Sequence, residues 1–133
     1  MPAPDLAGVL ETALYHDSAD REAVERFYRE VLGLPAVAAW EDGIAFRVGA
    51  GVLLLFDRQR LMRRGGPIAD HGTTGPGHAC LQAAAGGYDR WREQLQAAGV
   101  PIAHEHGWGD RRSFYFKDPA GNLLEIADGD LWP

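Results

Sequence analysis

The sequence predicts an α+β fold built from two tandem βαβββ modules, and three observations predict it. Strand-like and helix-like segments run in the order β-α-β-β-β twice along the chain. The two helices stop alike, at Gly33–Leu34–Pro35–Ala36 and at Gly99–Val100–Pro101–Ile102. The stretch FRVGAGVLLLF, Phe46 to Phe56, aligns without gaps to FKDPAGNLLEI, Phe116 to Ile126. In that register Gly51 matches Gly121 and Leu55 matches Glu125. The expected division is a first module over residues 1–60, a connecting loop over 61–77 and a second module over 78–133, together one structural domain.

Each element has a local reason. Val9 to Tyr15, VLETALY, is short and rich in strand formers. HDSAD follows, with Asp17, Ser18 and Asp20 as candidate helix caps. In REAVERFYREVLG the apolar residues Ala23, Val24, Phe27, Tyr28, Val31 and Leu32 form a helical stripe that Gly33 terminates. AVAAW, GIAFRV and VLLLFD are three strands, separated by Glu41–Asp42–Gly43 and Gly49–Ala50–Gly51.

From Arg58 to Gly77 runs a connection of about twenty residues, long for a compact domain. It carries Arg58, Arg60, Arg63, Arg64, Pro67 and His71 and reads as a linker or a lid. HACLQA then opens the second module as a strand. GYDRWREQLQAAG places Tyr88, Trp91, Leu95 and Ala98 on one helical face, with Gly99 at the stop. PIAHEH, RSFYFKD and NLLEIAD read as the last three strands, with Trp108 in a glycine-rich loop between two of them.

Composition narrows the function. A hydrophobic content of 46% supplies a core and excludes a disordered chain. The net charge of −6 argues against a phosphate-driven nucleic-acid partner and leaves small molecules, metals and cationic ligands. Cys80 is the only cysteine, so no intrachain disulfide forms. With no signal-like N-terminus and no apolar run of membrane length, a cytoplasmic protein with no membrane partner is expected.

Polar residues inside strands point to a site. Side chains alternate between the faces of a sheet. If helices cover the face carrying Phe46, Phe114 and Phe116, the other face carries Ser113 and Tyr115, then Leu123, Glu125 and Ala127. It also carries Glu11 with Ala13, and His78 with Cys80 and Gln82. Glu11, His78 and Glu125 therefore fall on three strands that can share one concave surface. Buried carboxylates demand a partner. A divalent cation satisfies two carboxylates and an imidazole at once, and Mn, Fe, Ni, Co and Zn all suit that set. Three protein ligands leave positions open for substrate. The competing reading is an edge carboxylate paired with Arg47, Arg111 or Arg112.

The segments LETALY, ERFYREVLGL, GPGHACLQ and SFYFKDPAGNLLEIAD resemble the vicinal oxygen chelate superfamily, and the resemblance spans nearly the whole chain. That superfamily includes glyoxalase I, extradiol dioxygenases, and fosfomycin- and bleomycin-resistance proteins. The resemblance implies cup-shaped mixed sheets with helices outside, usually in a homodimer. It implies metal ligands on the first and last strands of the modules, which fall on Glu11, His78 and Glu125. The remaining ligand position falls on Leu55, which cannot bind metal. The implied chemistry is chelation of a small substrate through neighbouring oxygens, by a lyase or isomerase of glyoxalase type. A metal-free drug- or metabolite-binding protein, a fosfomycin-resistance-like transferase and a dioxygenase are the alternatives.

Around Glu125, Tyr115 and Ser113 are candidates to orient a substrate oxygen or donate a proton. Glu125 and Tyr115 are the expected catalytic pair. Ser113, Tyr115, Arg47 and Trp108 are the expected substrate-binding residues. His104 and His106 lie two apart, hence on one face, either as a base or ligand pair or as a solvated edge.

Overall fold

The structure, a computed structural model, describes residues 3–63 and 71–133. The connection predicted over 61–77 thus lies partly outside the described residues.

Eight strands form two four-stranded mixed sheets. The first contains β1 (Glu11–His16), β2 (Ala36–Ala39), β3 (Gly43–Val48) and β4 (Gly51–Asp57), in the order β1-β4-β3-β2. The second contains β5 (His78–Gln82), β6 (His104–Trp108), β7 (Arg111–Lys117) and β8 (Leu123–Ala127), in the order β5-β8-β7-β6. In each sheet the first strand runs parallel to the last and the others pair antiparallel. Parallel partners need a crossover. α1 (Arg21–Arg26) with its continuation, and α3 (Tyr88–Ala97), lie within these crossovers. The fold is the α+β pair of βαβββ modules.

The helical stripe of the first module is not one regular helix. A 3-10 turn, Ser18–Asp20, leads into α1, and a π turn, Phe27–Val31, ends it. The wider turn closes with Leu32 N donating to the Phe27 carbonyl at 3.1 Å. Neither Asp17 nor Asp20 caps by its side chain. Asp17 instead accepts from Arg58 and Gln59, and Ser18 donates to Asp57 at 2.5 Å. The expected caps are used to hold the start of α2 (Arg58–Arg63).

That helix corrects a second expectation, because the connection begins with a helical turn and a half rather than a loop. Its Leu61 packs on Ala45, Leu54 and Phe56, on the sheet face opposite the main core. β4 is therefore buried on both faces, and so it reads as the unbroken apolar run VLLLF. Trp108 is also not in a loop: it ends β6, which starts at His104 rather than Pro101.

Both modules share one core. Phe27, Tyr28, Phe46, Leu53 and Leu55 of the first cluster with Tyr88, Leu95, Phe114, Phe116, Leu124 and Ile126 of the second. A buried polar knot ties the halves together. Asp118 accepts from Tyr28 Oη at 2.8 Å, from the backbone of Ala120 and Asn122, and from the Asn122 amide. Asn122 also donates to the Tyr15 carbonyl at 3.0 Å and accepts from Gly77 N at 2.8 Å. The hairpin turn of the second module is thereby pinned to α1's continuation and to β1.

The hairpins of the two modules differ by one residue. In the first, Arg47 pairs with Val52 and Phe46 with Leu53. In the second, Lys117 pairs with Leu123 and Phe116 with Leu124. Four residues separate the first pair and five the second, so the gapless alignment slips by one. Because strand side chains alternate, that slip changes the face. Leu54, not Leu55, is the counterpart of Glu125. Leu55 is fully buried in the main core, whereas Leu54 belongs to the opposite face.

Candidate functional site

One cross-strand row of the second sheet holds the chemistry. Strand pairing places His104 beside Tyr115, Tyr115 beside Glu125, and Glu125 beside Cys80. Paired residues point to the same face. His78 precedes Cys80 by two and shares that face. The alternation that puts Phe114, Phe116, Leu124 and Ile126 into the core turns these polar residues the other way.

Glu125 is the centre of the row. It is only 5% exposed although it lies on the open face. His78 Nε2 approaches Glu125 Oε1 at 3.3 Å. Among the described residues, Glu125 Oε2 is buried without a hydrogen-bond partner. Two of the three alternative partners are engaged elsewhere. Arg112 pairs with Asp89 and Asp128, and Arg47 points its guanidinium at the carbonyls of Ala50 and Gly51. Arg47 thus stays on the first module's hairpin, apart from Glu125.

The imidazole is held for this encounter. His78 Nδ1–H donates to the Leu123 carbonyl at 2.9 Å, which fixes the ring and leaves Nε2 facing the carboxylate. A backbone carbonyl behind the second ring nitrogen is the usual support of a metal-ligating histidine. The 3.3 Å separation falls within the roughly 2.9–3.4 Å expected between neighbouring donors that each sit ~2.0–2.1 Å from one cation. A buried carboxylate with one oxygen orphaned and the other 3.3 Å from an anchored imidazole nitrogen fits a divalent cation.

Tyr115 and Ser113 lie where the sequence placed them. Burial, with the neighbouring Glu125 carboxylate adding to it, raises the pKa of the Tyr115 hydroxyl. Its ring stacks on His78 with centroids 6.2 Å apart. Ser113 is fully buried and accepts from Trp108 Nε1 at 2.9 Å. Cys80 lies on the face where alternation placed it, directly beside Glu125. Burial pushes its thiol up to about 12, with the charge of Glu125 adding to the shift. The i, i+2 spacing HxC in HACLQ was the signal, since it puts both side chains on one face. The same spacing in HEH brings His104 and His106 to ring centroids 6.0 Å apart, with His104 beside Tyr115.

Glu11 occupies the same register position in the first module as His78 does in the second. It pairs with Val52, as His78 pairs with Leu123. It does not join the other two: among the described residues no group of three His, Cys, Asp or Glu side chains is close enough to hold a metal. Glu11 opens instead onto two hollows. One, about 400 Å³, it shares with His78 and Cys80. The other, about 830 Å³, is lined by Leu54, Phe56, Trp40 and His71 along with Arg60 and Arg63 of α2. That volume suits a small-molecule pocket.

The family model of the glyoxalase/bleomycin resistance protein/dioxygenase superfamily matches residues 18–126. The chain belongs to this superfamily. Among solved members, a lactoylglutathione lyase from Agrobacterium tumefaciens is similar at 39% identity and a TM-score of 0.86, over 96% of this chain and 98% of that one. The chain is 32% identical to a virulence protein of Salmonella typhimurium over 114 residues, 82% of this chain and 76% of the other. It is 30% identical to the glutathione transferase FosA of Serratia marcescens, over 85% of this chain and 76% of the other. Superfamily membership explains the doubled βαβββ plan. Among the described residues no helix is long and apolar enough to cross a membrane.

Proposed function

We propose that this superfamily member is a metal-dependent enzyme of glyoxalase type, acting on a small substrate held through two neighbouring oxygens. The observation that carries the reading is Glu125 Oε2, buried and unpartnered beside a histidine whose other nitrogen is already anchored. A buried carboxylate oxygen without a donor is costly unless a cation completes it. His78 and Glu125 would hold a divalent metal, and Glu11 would be the third ligand. The bound metal supplies Lewis acidity that favours charge developing on a substrate oxygen.

The chain's own residues do the rest. Tyr115, whose phenol keeps its proton beside the Glu125 carboxylate, donates a hydrogen bond toward a substrate oxygen next to Glu125. Cys80 stays a thiol, since Glu125 and burial oppose the thiolate. A thiol held in that form does not attack substrate. Trp108, tied to Ser113, walls one side.

The missing third ligand has a natural source. Glu11 stands at the mouth of the first module's cavity, and a second copy can present its Glu11 over the His78–Glu125 pair of the first. Exposed Leu6, Val9 and Leu10, which lead into β1, give such a copy an apolar surface to cover. Mixing Glu11→Ala and Glu125→Ala proteins tests this. A heterodimer of the two regains an intact site, and metal binding, only if each site draws on both chains. If the mixture stays metal-free while the unsubstituted protein binds metal, shared sites are ruled out.

A second reading rests on the 830 Å³ cavity, whose apolar floor suits a metal-free drug- or metabolite-binding protein. Elemental analysis separates the two. Protein purified without chelator or nickel column should carry close to one divalent ion per chain, and Glu125→Ala should remove it. Metal-free protein that cannot be loaded with Mn²⁺, Zn²⁺, Ni²⁺, Co²⁺ or Fe²⁺ sinks the enzyme reading and leaves the binder.

A further inference from the structure

β6 carries His104, His106 and Trp108 at alternate positions, on the face of Glu125. Glu105 between them points the other way, accepting from Tyr88 Oη at 2.8 Å and Arg92 at 2.6 Å. The face toward the site is thus left to rings alone. They run in an unbroken row. His78 stacks on Tyr115 at 6.2 Å, Tyr115 meets His104 at 6.0 Å, His104 meets His106 at 6.0 Å, and His106 meets Trp108 edge-on at 4.4 Å.

Trp108 decides what the row is for. It is 44% exposed, yet its only polar atom is satisfied, because Nε1–H donates to buried Ser113. What it shows to solvent is therefore hydrocarbon face, held in place and unable to turn inward. Rigid, exposed aromatic faces are costly in water and favourable against another flat ring. The imidazole rings beside it continue the same row. A charged arm would need fixed ion-pairing groups, and the charge on this strand, Glu105, is spent on the opposite face.

We propose that the row from Tyr115 to Trp108 is a platform for an aromatic ring carried next to the substrate's pair of oxygens. This rests on the reading of His78 and Glu125 as the centre that holds those oxygens. It adds the substrate class: aryl-substituted α-keto or α-hydroxy compounds over their alkyl counterparts.

Phenylglyoxylate and pyruvate present the same carboxylate and ketone and differ in phenyl against methyl. Calorimetry on the Mn²⁺-loaded full chain should show phenylglyoxylate bound at least about tenfold more tightly, and Trp108→Leu should cut that preference roughly fivefold. His106→Leu, a milder change on the same strand, should cut it too. In metal-free protein, phenylglyoxylate should shift the ring proton resonances of His104 and His106, and pyruvate should not. Equal binding of the two probes, or a preference that survives both substitutions, overturns the platform while leaving the metal centre standing. If Mn²⁺ does not bind, the resonance shifts alone decide: their presence supports the platform without the centre, and their absence overturns it. If Trp108→Leu separates a dimer into monomers without changing the preference, the row is an interface between copies and the platform is wrong.

Discussion

Leu54 stands in the first sheet where Glu125 stands in the second. Each faces away from the shared core, Leu54 opposite Ala45 and Glu125 opposite Tyr115. The whole cross-strand row follows suit. Ala13, Leu54, Ala45 and Ala38 in the first sheet correspond to Cys80, Glu125, Tyr115 and His104 in the second. One row is small and apolar beside a large cavity, the other polar and ring-lined. The same backbone thus carries two kinds of surface, and the polar one is not demanded by the fold.

Glu125→Leu should therefore stabilise the metal-free protein while removing its metal. Replacing a buried, half-satisfied carboxylate by the residue its twin position already holds should gain about 1–3 kcal/mol. Urea unfolding in the presence of chelator measures this, with metal content read in parallel. A loss of stability in chelator would mean the carboxylate is a structural partner.

Tyr115→Phe should leave metal content intact and lower turnover by roughly 10²–10⁴-fold, the usual weight of a positioned proton donor. The comparison needs a turned-over substrate from a panel of α-keto hemithioacetals, catechols and fosfomycin. Unchanged turnover would reduce Tyr115 to a packing residue.

Asp57 makes acid stability a test of the α2 docking. Burial would raise its pKa, but the Ser18 hydroxyl, the Arg60 backbone N–H, His16 and Arg21 overcome that and lower it. A depressed carboxylate stabilises the fold above its unfolded pKa, about 3.9, and that stability is lost as pH falls through the lower folded value. Asp57→Asn should cost about 1–3 kcal/mol at pH 7. The gap should narrow below about pH 4. A gap independent of pH would show that the charge is not what matters.

Tyr28→Phe probes the knot between modules. The lost 2.8 Å bond leaves Asp118 with its remaining donors, so the cost should be about 1–2 kcal/mol. Thermal unfolding should stay a single transition, because the common core still joins the halves. Two separated transitions would show that the modules are held mainly by this knot.

Much of the fold was legible because strand and helix periods differ and the pattern occurs twice. The faces of Ser113, Tyr115, Glu125, His78 and Cys80 followed from alternation alone. α2 was hidden because RQRLMR buries a single leucine, too little for a stripe. The π turn was hidden because its residues fit an ordinary helical spacing. The extra residue in the second hairpin was hidden because FRVGAGVLLLF and FKDPAGNLLEI are the same length; pairing, not spacing, shows that the turns differ.

The sequence by itself determined the doubled βαβββ plan, the helix stops at Gly33 and Gly99, and which face each strand residue takes. Those are consequences of local period and glycine conformation, with φ of +66° and +77° at the two stops. Only the tertiary structure decided which residues meet. Strand register set Glu125 against Tyr115 and Cys80, brought His78 to 3.3 Å, and made Leu54 its twin. It also left Glu11 outside that group in the single chain. Contact across strands depends on turn length and on how the sheets pack, and a one-residue difference in a turn is enough to change it.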